Sequence, residues 1–292
     1  MAGRTAILIV NGFDRIGLWG TYFDPRDVLR YPWLEVCLRE VKRRSLDTDH
    51  EVLVWDNTQM PEMRTIARLH GARLYPSDNE LNDSQTGDAA GEVVPSLVLN
   101  HPGSLQRLWS MVGDEFEYVM TLDTDAFPIQ DGWIERLKER LDDASLTGVW
   151  RDEMSGGLQP FIHPSCLFAR TQRLRRIDKP FSPRGVQDVG QRITLEVTAN
   201  GEKVAGLRRS NARNAHFLIG GLYGDLVYHH AAGSRVPVFR LTEGEERDRH
   251  IYNRLRDAVF DDVDRVVSVL RGESEDDLGL EWSRQQRGQE AP

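Results

Sequence analysis

Short apolar runs alternate with longer amphipathic stretches along most of this 292-residue chain, and that alternation most constrains its fold. Ala6 to Val10 is a continuous apolar run of strand length, stopped by Asn11-Gly12. A helical stripe follows at residues 33, 34, 37, 38 and 41. Glu51 to Trp55 predicts a second strand ending at Asp56-Asn57, and Pro61 to His70 a helix closed by Gly71. Arg73 to Tyr75 predicts a brief third strand. The pattern is that of an α/β protein.

The same reading continues past a polar loop at residues 77–91. A helix is expected after Gly103, with Leu105, Leu108, Trp109 and Val112 on one face. Tyr118 to Leu122 is a clear buried strand. Gly132 to Leu141 predicts a helix, Gly148 to Trp150 and Ser165 to Ala169 predict strands, and Asp188 to Ala199 predicts another helix. Leu226 to Tyr228 is a last strand, directly ahead of two histidines. From about residue 244 a charged amphipathic helix carries Ile251, Leu255, Val259, Val263 and Val266. The polar, acidic tail from Arg271 is expected to fray.

Composition removes several classes of function. Lys plus Arg number 37 against 46 Asp plus Glu, a net charge of −9, so general duplex binding through phosphate neutralisation is a poor fit. Two cysteines, Cys37 and Cys166, are too few for a disulfide framework and stand in no metal-binding spacing. Both read as small buried apolar residues in a reducing compartment. The opening apolar run is too short for a signal peptide, and no stretch approaches a membrane span. The expectation is a cytoplasmic protein.

The strongest chemical signal is Tyr118-Val-Met-Thr-Leu-Asp123-Thr-Asp125. An apolar strand delivers two carboxylates, spaced i and i+2, at its C-terminal end, where open α/β sheets bind ligands. Such a pair suits Mg²⁺ or Mn²⁺ bridging substrate phosphates. The chain contains its own control, because Leu-Asp-Thr-Asp also occurs at residues 46 to 49. That first copy lies between a helix and a strand and reads as a polar turn. Only the second copy sits at a strand exit.

Taken in order, these segments resemble a GT-A-fold glycosyltransferase, similar to the broad glycosyltransferase family 2. Val54-Trp55-Asp56-Asn57-Thr58 resembles the second-strand exit, whose Asp contacts the donor's base. Asn100-His101-Pro102-Gly103-Ser104-Leu105-Gln106 resembles the small-residue segment before the Asp-x-Asp strand. Asp123 and Asp125 fall on the metal and diphosphate motif. Gln187-Asp188-Val189 resembles the Glu-Asp motif whose Asp is the base of inverting members, with Gln187 in place of the commoner acid. His229-His230-Ala-Ala-Gly-Ser234 resembles the late His motif that completes the metal site.

The resemblance implies a Rossmann-like nucleotide-binding half fused to an acceptor-binding half, with a central mixed sheet flanked by helices and an added C-terminal helix. The implied limits are residues 1–240 for the GT-A domain and 241–292 for a helical extension with a polar tail, open to a homo-oligomer contact. The implied cofactors are Mn²⁺ or Mg²⁺ and a UDP- or GDP-sugar donor. Asp56, Asn100, Asp123 and Asp125 would contact the donor. Asp123, Asp125 and one of His229 and His230 would hold the metal, since adjacent strand residues point to opposite faces. Asp188 would be the catalytic base, although an Asp there is also a good helix cap. Trp150, Arg151, Asp152, Glu153 and His163 lie where the acceptor wall forms, or in an ordinary satisfied loop.

The acceptor itself is left open between a small molecule, a glycan, a protein and a modified nucleobase. Two other functions compete. A nucleotidyltransferase shares such a nucleotide-binding half, but the first strand lacks a Gly-rich basic loop for a triphosphate. A non-catalytic binding protein would keep the fold without turnover.

Overall fold

The computed structural model describes residues 3–12, 29–58, 60–76, 101–152, 159–182, 188–231 and 245–284. The polar loop at 77–91, together with Asn100, Glu153, Gln187 and Ser234, lies outside the described residues.

The first half is built on parallel strands. β1 (Thr5–Asn11) lies between β2 (His50–Asp56) and β4 (Tyr118–Asp123), and β3 (Arg73–Pro76) extends the sheet beyond β2. Helices α1 (Trp33–Arg44), α2 (Pro61–Leu69) and α3 (His101–Ser110) connect them. The chain steps from β1 to β2 to β3 on one side, then returns to place β4 on the other. That reversal makes the β1–β4 boundary a topological switch point, with a crevice at the strands' C-terminal ends.

The second half makes the sheet mixed. α4 (Trp133–Arg140) leads to β6 (Leu146–Arg151), and β7 (Phe161–Arg170) runs antiparallel to both β4 and β6. After α5 (Thr171–Leu174) and α6 (Val189–Ala199), β8 (Val204–Leu207) pairs parallel to β6. The resulting seven-stranded order is β3-β2-β1-β4-β7-β6-β8. This is the expected central mixed sheet flanked by helices.

Strand alternation sorts the core into two layers. Ile7, Ile9, Val54, Met120 and Leu122 face one way, with α1, α2 and α4. Ala6, Leu8, Leu53 and Val119 face the other, with α3 and α6. A small sheet stands apart, in which β5 (Ala126–Pro128) and β10 (Gly221–Tyr223) flank β11 (Val227–His229). Its Phe127, Leu222 and Tyr228 form a third core with Trp33 and Val36 of α1 and the apolar faces of α7 (Glu245–Asp261) and α8 (Val263–Leu270).

Four local expectations need correction. The helix expected after Gly103 starts at His101, and the strand expected from Ser165 starts at Phe161. The single C-terminal helix is two, because Asp262 takes an extended backbone and caps α8 by accepting from Arg265 N at 3.1 Å. Asp264, in the first turn of α8, accepts from both Arg43 and Arg44. The tail is held as far as Arg284. Leu278 and Leu280 are buried, and Ser283–Arg284 pairs with the short strand β9 (Arg213–Asn214). Among the described residues, no helix is long and apolar enough to cross a membrane.

Candidate functional site

The strand exits at the switch point carry polar residues in register. Val10 lies opposite Asp123, and Asn11 lies opposite Asp56. Asp56 is buried and locally engaged, its Oδ1 accepting from Asn11 Nδ2 at 2.9 Å, Thr58 N at 3.0 Å and Thr58 Oγ1 at 2.7 Å. This is an Asx-type turn that fixes the strand end. Asn57 adds a bond from its Nδ2 to Ser104 Oγ of α3 at 3.2 Å.

One turn after β4, the chain leaves the large sheet for the small one, and this crossover assembles the centre of the site. Ala126 pairs with His229, and the His230 amide donates to the Asp125 carbonyl at 2.9 Å. His229 Nε2 consequently lies 3.6 Å from Asp125 Oδ1 and 3.9 Å from Asp123 Oδ2. His230 turns the other way, into an aromatic box. Its ring centroid is 4.6 Å from those of Trp33 and Tyr252, and its Nδ1 is 2.8 Å from Tyr228 Oη. The alternation that separates adjacent strand residues puts only His229 beside the carboxylates.

Two further histidines arrive from elsewhere. His101, at the start of α3, places Nε2 3.5 Å from Asp123 Oδ1. His163, on β7, places Nδ1 4.0 Å from Asp123 Oδ2, and that nitrogen also accepts from Ser165 N at 3.1 Å. Asp123, His163 and His229 each offer one ligand atom, all within 4.8 Å of one another. The sequence alone puts His163 on an acceptor wall or in a satisfied loop and His101 in the small-residue segment, with neither marked as a neighbour of Asp123. The β4–β7 pairing, Leu122 opposite Cys166, is what carries His163 to Asp123.

Electrostatics set the protonation states. Burial alone would raise the Asp123 carboxyl, but His101, His163 and His229 together outweigh it, His101 most of all, and hold the group below its ordinary value. Burial pushes His163 down to about 4, with the Arg151 guanidinium adding to the effect. His229 is pushed down for the same two reasons. Near neutral pH the Asp123 carboxylate is therefore ionised beside neutral His163 and His229 imidazoles, the forms in which these groups bind metal. Arg151 is buried, its Nη1 donating to Tyr223 Oη at 2.9 Å.

Asp188 caps α6, accepting from Gly190 N at 3.0 Å. It lies close enough to His163 to favour that ring's charged form. Tight packing brings α6 there. A Cβ on Gly190 would stand 1.8 Å from the Ile162 carbonyl oxygen, so only glycine allows this approach of helix to strand. Arg209, ahead of the His motif, bonds to the carbonyls of Phe217, His216 and Ile219. Cys37 and Cys166 are free and buried, as expected.

No protein-family model matches the chain. No curated protein matches it. Some solved structures resemble it distantly. The galactosyltransferase LgtC, in complex with donor and acceptor sugar analogs, aligns over 87% of this chain and 95% of its own at 15% identity, with a TM-score of 0.47. Glucosyl-3-phosphoglycerate synthase from Mycobacterium tuberculosis, in complex with Mn²⁺, uridine diphosphate and glucosyl-3-phosphoglycerate, aligns over 71% of this chain and 70% of its own at 15% identity, TM-score 0.42. A Methanothermobacter nucleotidyl transferase aligns over 71% and 88% at 14% identity, TM-score 0.45. Likeness this distant assigns no activity.

Proposed function

We propose that this chain is a GT-A-type glycosyltransferase that uses a nucleotide-sugar donor and a divalent cation and inverts the transferred sugar. The observation that carries the reading is the meeting of Asp123 and Asp125, at the switch point of the parallel sheet, with His229 from the small sheet. Asp123, Asp125 and His229 hold the cation. When bound, that ion supplies positive charge against a leaving diphosphate. Asp56 contacts the donor's base at the neighbouring strand end, and Asn100 contacts the donor.

Asp188 takes the proton of the acceptor hydroxyl. The hydroxyl oxygen forms its bond to the anomeric carbon as the bond from that carbon to the diphosphate breaks. The nucleoside diphosphate leaves with the electron pair. A single base and direct displacement give inversion.

The test is a thermal-shift screen of UDP- and GDP-sugars with Mn²⁺, followed by an assay of donor breakdown. The expected result is stabilisation by one donor and slow release of nucleoside diphosphate. Absence of both would overturn the proposal. Release of pyrophosphate from a nucleoside triphosphate would replace it with nucleotidyl transfer.

A further inference from the structure

We propose that His163 is a ligand of the cation centre, and that the resulting imidazole-rich donor set takes a borderline transition ion in preference to Mg²⁺. The inference rests on the reading of Asp123, Asp125 and His229 as a cation site, and extends it to a residue on a different strand.

The geometry is that of groups arranged around a shared centre rather than bonded to each other. His163 Nδ1 and His229 Nε2 approach the same oxygen, Asp123 Oδ2, at 4.0 and 3.9 Å. Both separations are too long for hydrogen bonds. Two atoms each about 2.1 Å from one ion lie at most about 4.2 Å apart, so both fit a common ion. The ligand atoms that Asp123, His163 and His229 offer all lie within 4.8 Å of one another. Asp125 Oδ1 adds a further oxygen on the His229 side at 3.6 Å.

The surroundings support ligation. His229 is buried, and its Nε2 faces an oxygen of each carboxylate. His101 contacts the Asp123 oxygen opposite the one that the other two histidines face, the outer-shell position that orients a ligating carboxylate. Ligation through His163 Nδ1 exchanges the hydrogen bond from Ser165 N for a bond to the ion.

Donor chemistry then decides the ion. Mg²⁺ is matched to carboxylate and water oxygens and dehydrates reluctantly, whereas imidazole suits later first-row ions. Two imidazoles in the set move the site away from Mg²⁺.

The experiment titrates the full-length protein with Co²⁺, followed by its visible absorption, and then competes with Mn²⁺ and Mg²⁺. His163→Ala and His163→Gln are compared with wild type, and thermal unfolding confirms that each variant is folded. Expected are saturable Co²⁺ binding, displacement by Mn²⁺ at concentrations at least about tenfold below those needed for Mg²⁺, and a Co²⁺ affinity at least about tenfold lower in both variants. A change in the Co²⁺ spectrum of the variants is also expected. Wild-type affinity and spectrum in a folded His163 variant would overturn the inference, as would equal competition by Mg²⁺. No Co²⁺ or Mn²⁺ binding at all would overturn both this inference and the cation site beneath it. Ion binding as expected, with no nucleotide sugar bound, overturns the transferase reading and leaves the ligand assignment standing.

Discussion

The amide of His230 donates to the carbonyl of Asp125 at 2.9 Å, and with the Ala126–His229 pairing this bond sets the second acid of the strand exit beside the late histidine pair. Replacing the His229 ring leaves that bond intact and removes a side chain facing both carboxylates. Mn²⁺ is expected to stabilise the wild type, and that stabilisation to disappear in His229→Ala and in Asp123→Ala while the fold persists. An ion at 100 times its Kd stabilises by about 2.7 kcal/mol. Unfolding curves with and without Mn²⁺ measure the difference, and an unchanged increment in His229→Ala removes His229 from the site.

Asp188 is both helix cap and proposed base, and two substitutions separate the roles. Asn caps about as well as Asp, whereas Ala costs about 1 kcal/mol. Asp188→Asn is therefore expected to keep wild-type stability and donor binding, yet lose about 10²- to 10⁴-fold in turnover. Asp188→Ala should lose stability as well. Full turnover in Asp188→Asn, measured by nucleoside diphosphate release, would leave only the cap.

Acid should destabilise the protein before its carboxylates are protonated. Burial lowers the proton affinity of His163, His216, His229 and His230 in the folded state. The unfolded chain then binds more protons, so stability is full above the unfolded histidine value and falls as pH drops below about 6.5. His216 offers a test away from the carboxylates of the site. Asp248, at 3.6 Å, favours its charged form, while burial, Arg209 and Arg247 oppose it, and the balance is downward. Urea midpoints at pH 7.5 and 5 should differ less in His216→Gln than in wild type.

The C-terminal helices are held by packing more than by charge. Asp264 accepts from Arg43 and Arg44 at 2.5 Å, but its side chain is half exposed. Asp264→Asn is expected to cost about 1 kcal/mol or less. Leu255, fully buried beneath the small sheet, should cost about 2–5 kcal/mol as Leu255→Ala. Denaturant midpoints at constant slope rank the two, and the reverse order would mean that charge dominates.

Six strands of the large sheet were legible as short apolar runs between turn residues, and Asp123 was legible because it ends one of them; the short edge strand β8 was not read from the sequence. Distinguishing the two Leu-Asp-Thr-Asp copies needed only local context. His163 was not legible as a neighbour of Asp123. Nothing near it in sequence shows that β7 pairs antiparallel with β4, a contact made after α4 and β6 intervene. The held tail was hidden for a related reason. Leu278 and Leu280 are isolated apolar residues in an acidic segment, and only the surface that receives them makes them core. The choice between His229 and His230 needed the register of β11 against β5, which fixes what each face meets.

β11 is three residues long, and its last residue and the next serve different compartments. His229 looks into the polar crevice; His230 is wedged among Trp33 and Tyr252, one from the first described helix and one from the C-terminal pair. A single peptide unit thus joins the polar crevice to the third core, so a helix of the C-terminal pair packs one residue away from the imidazole that faces the acids.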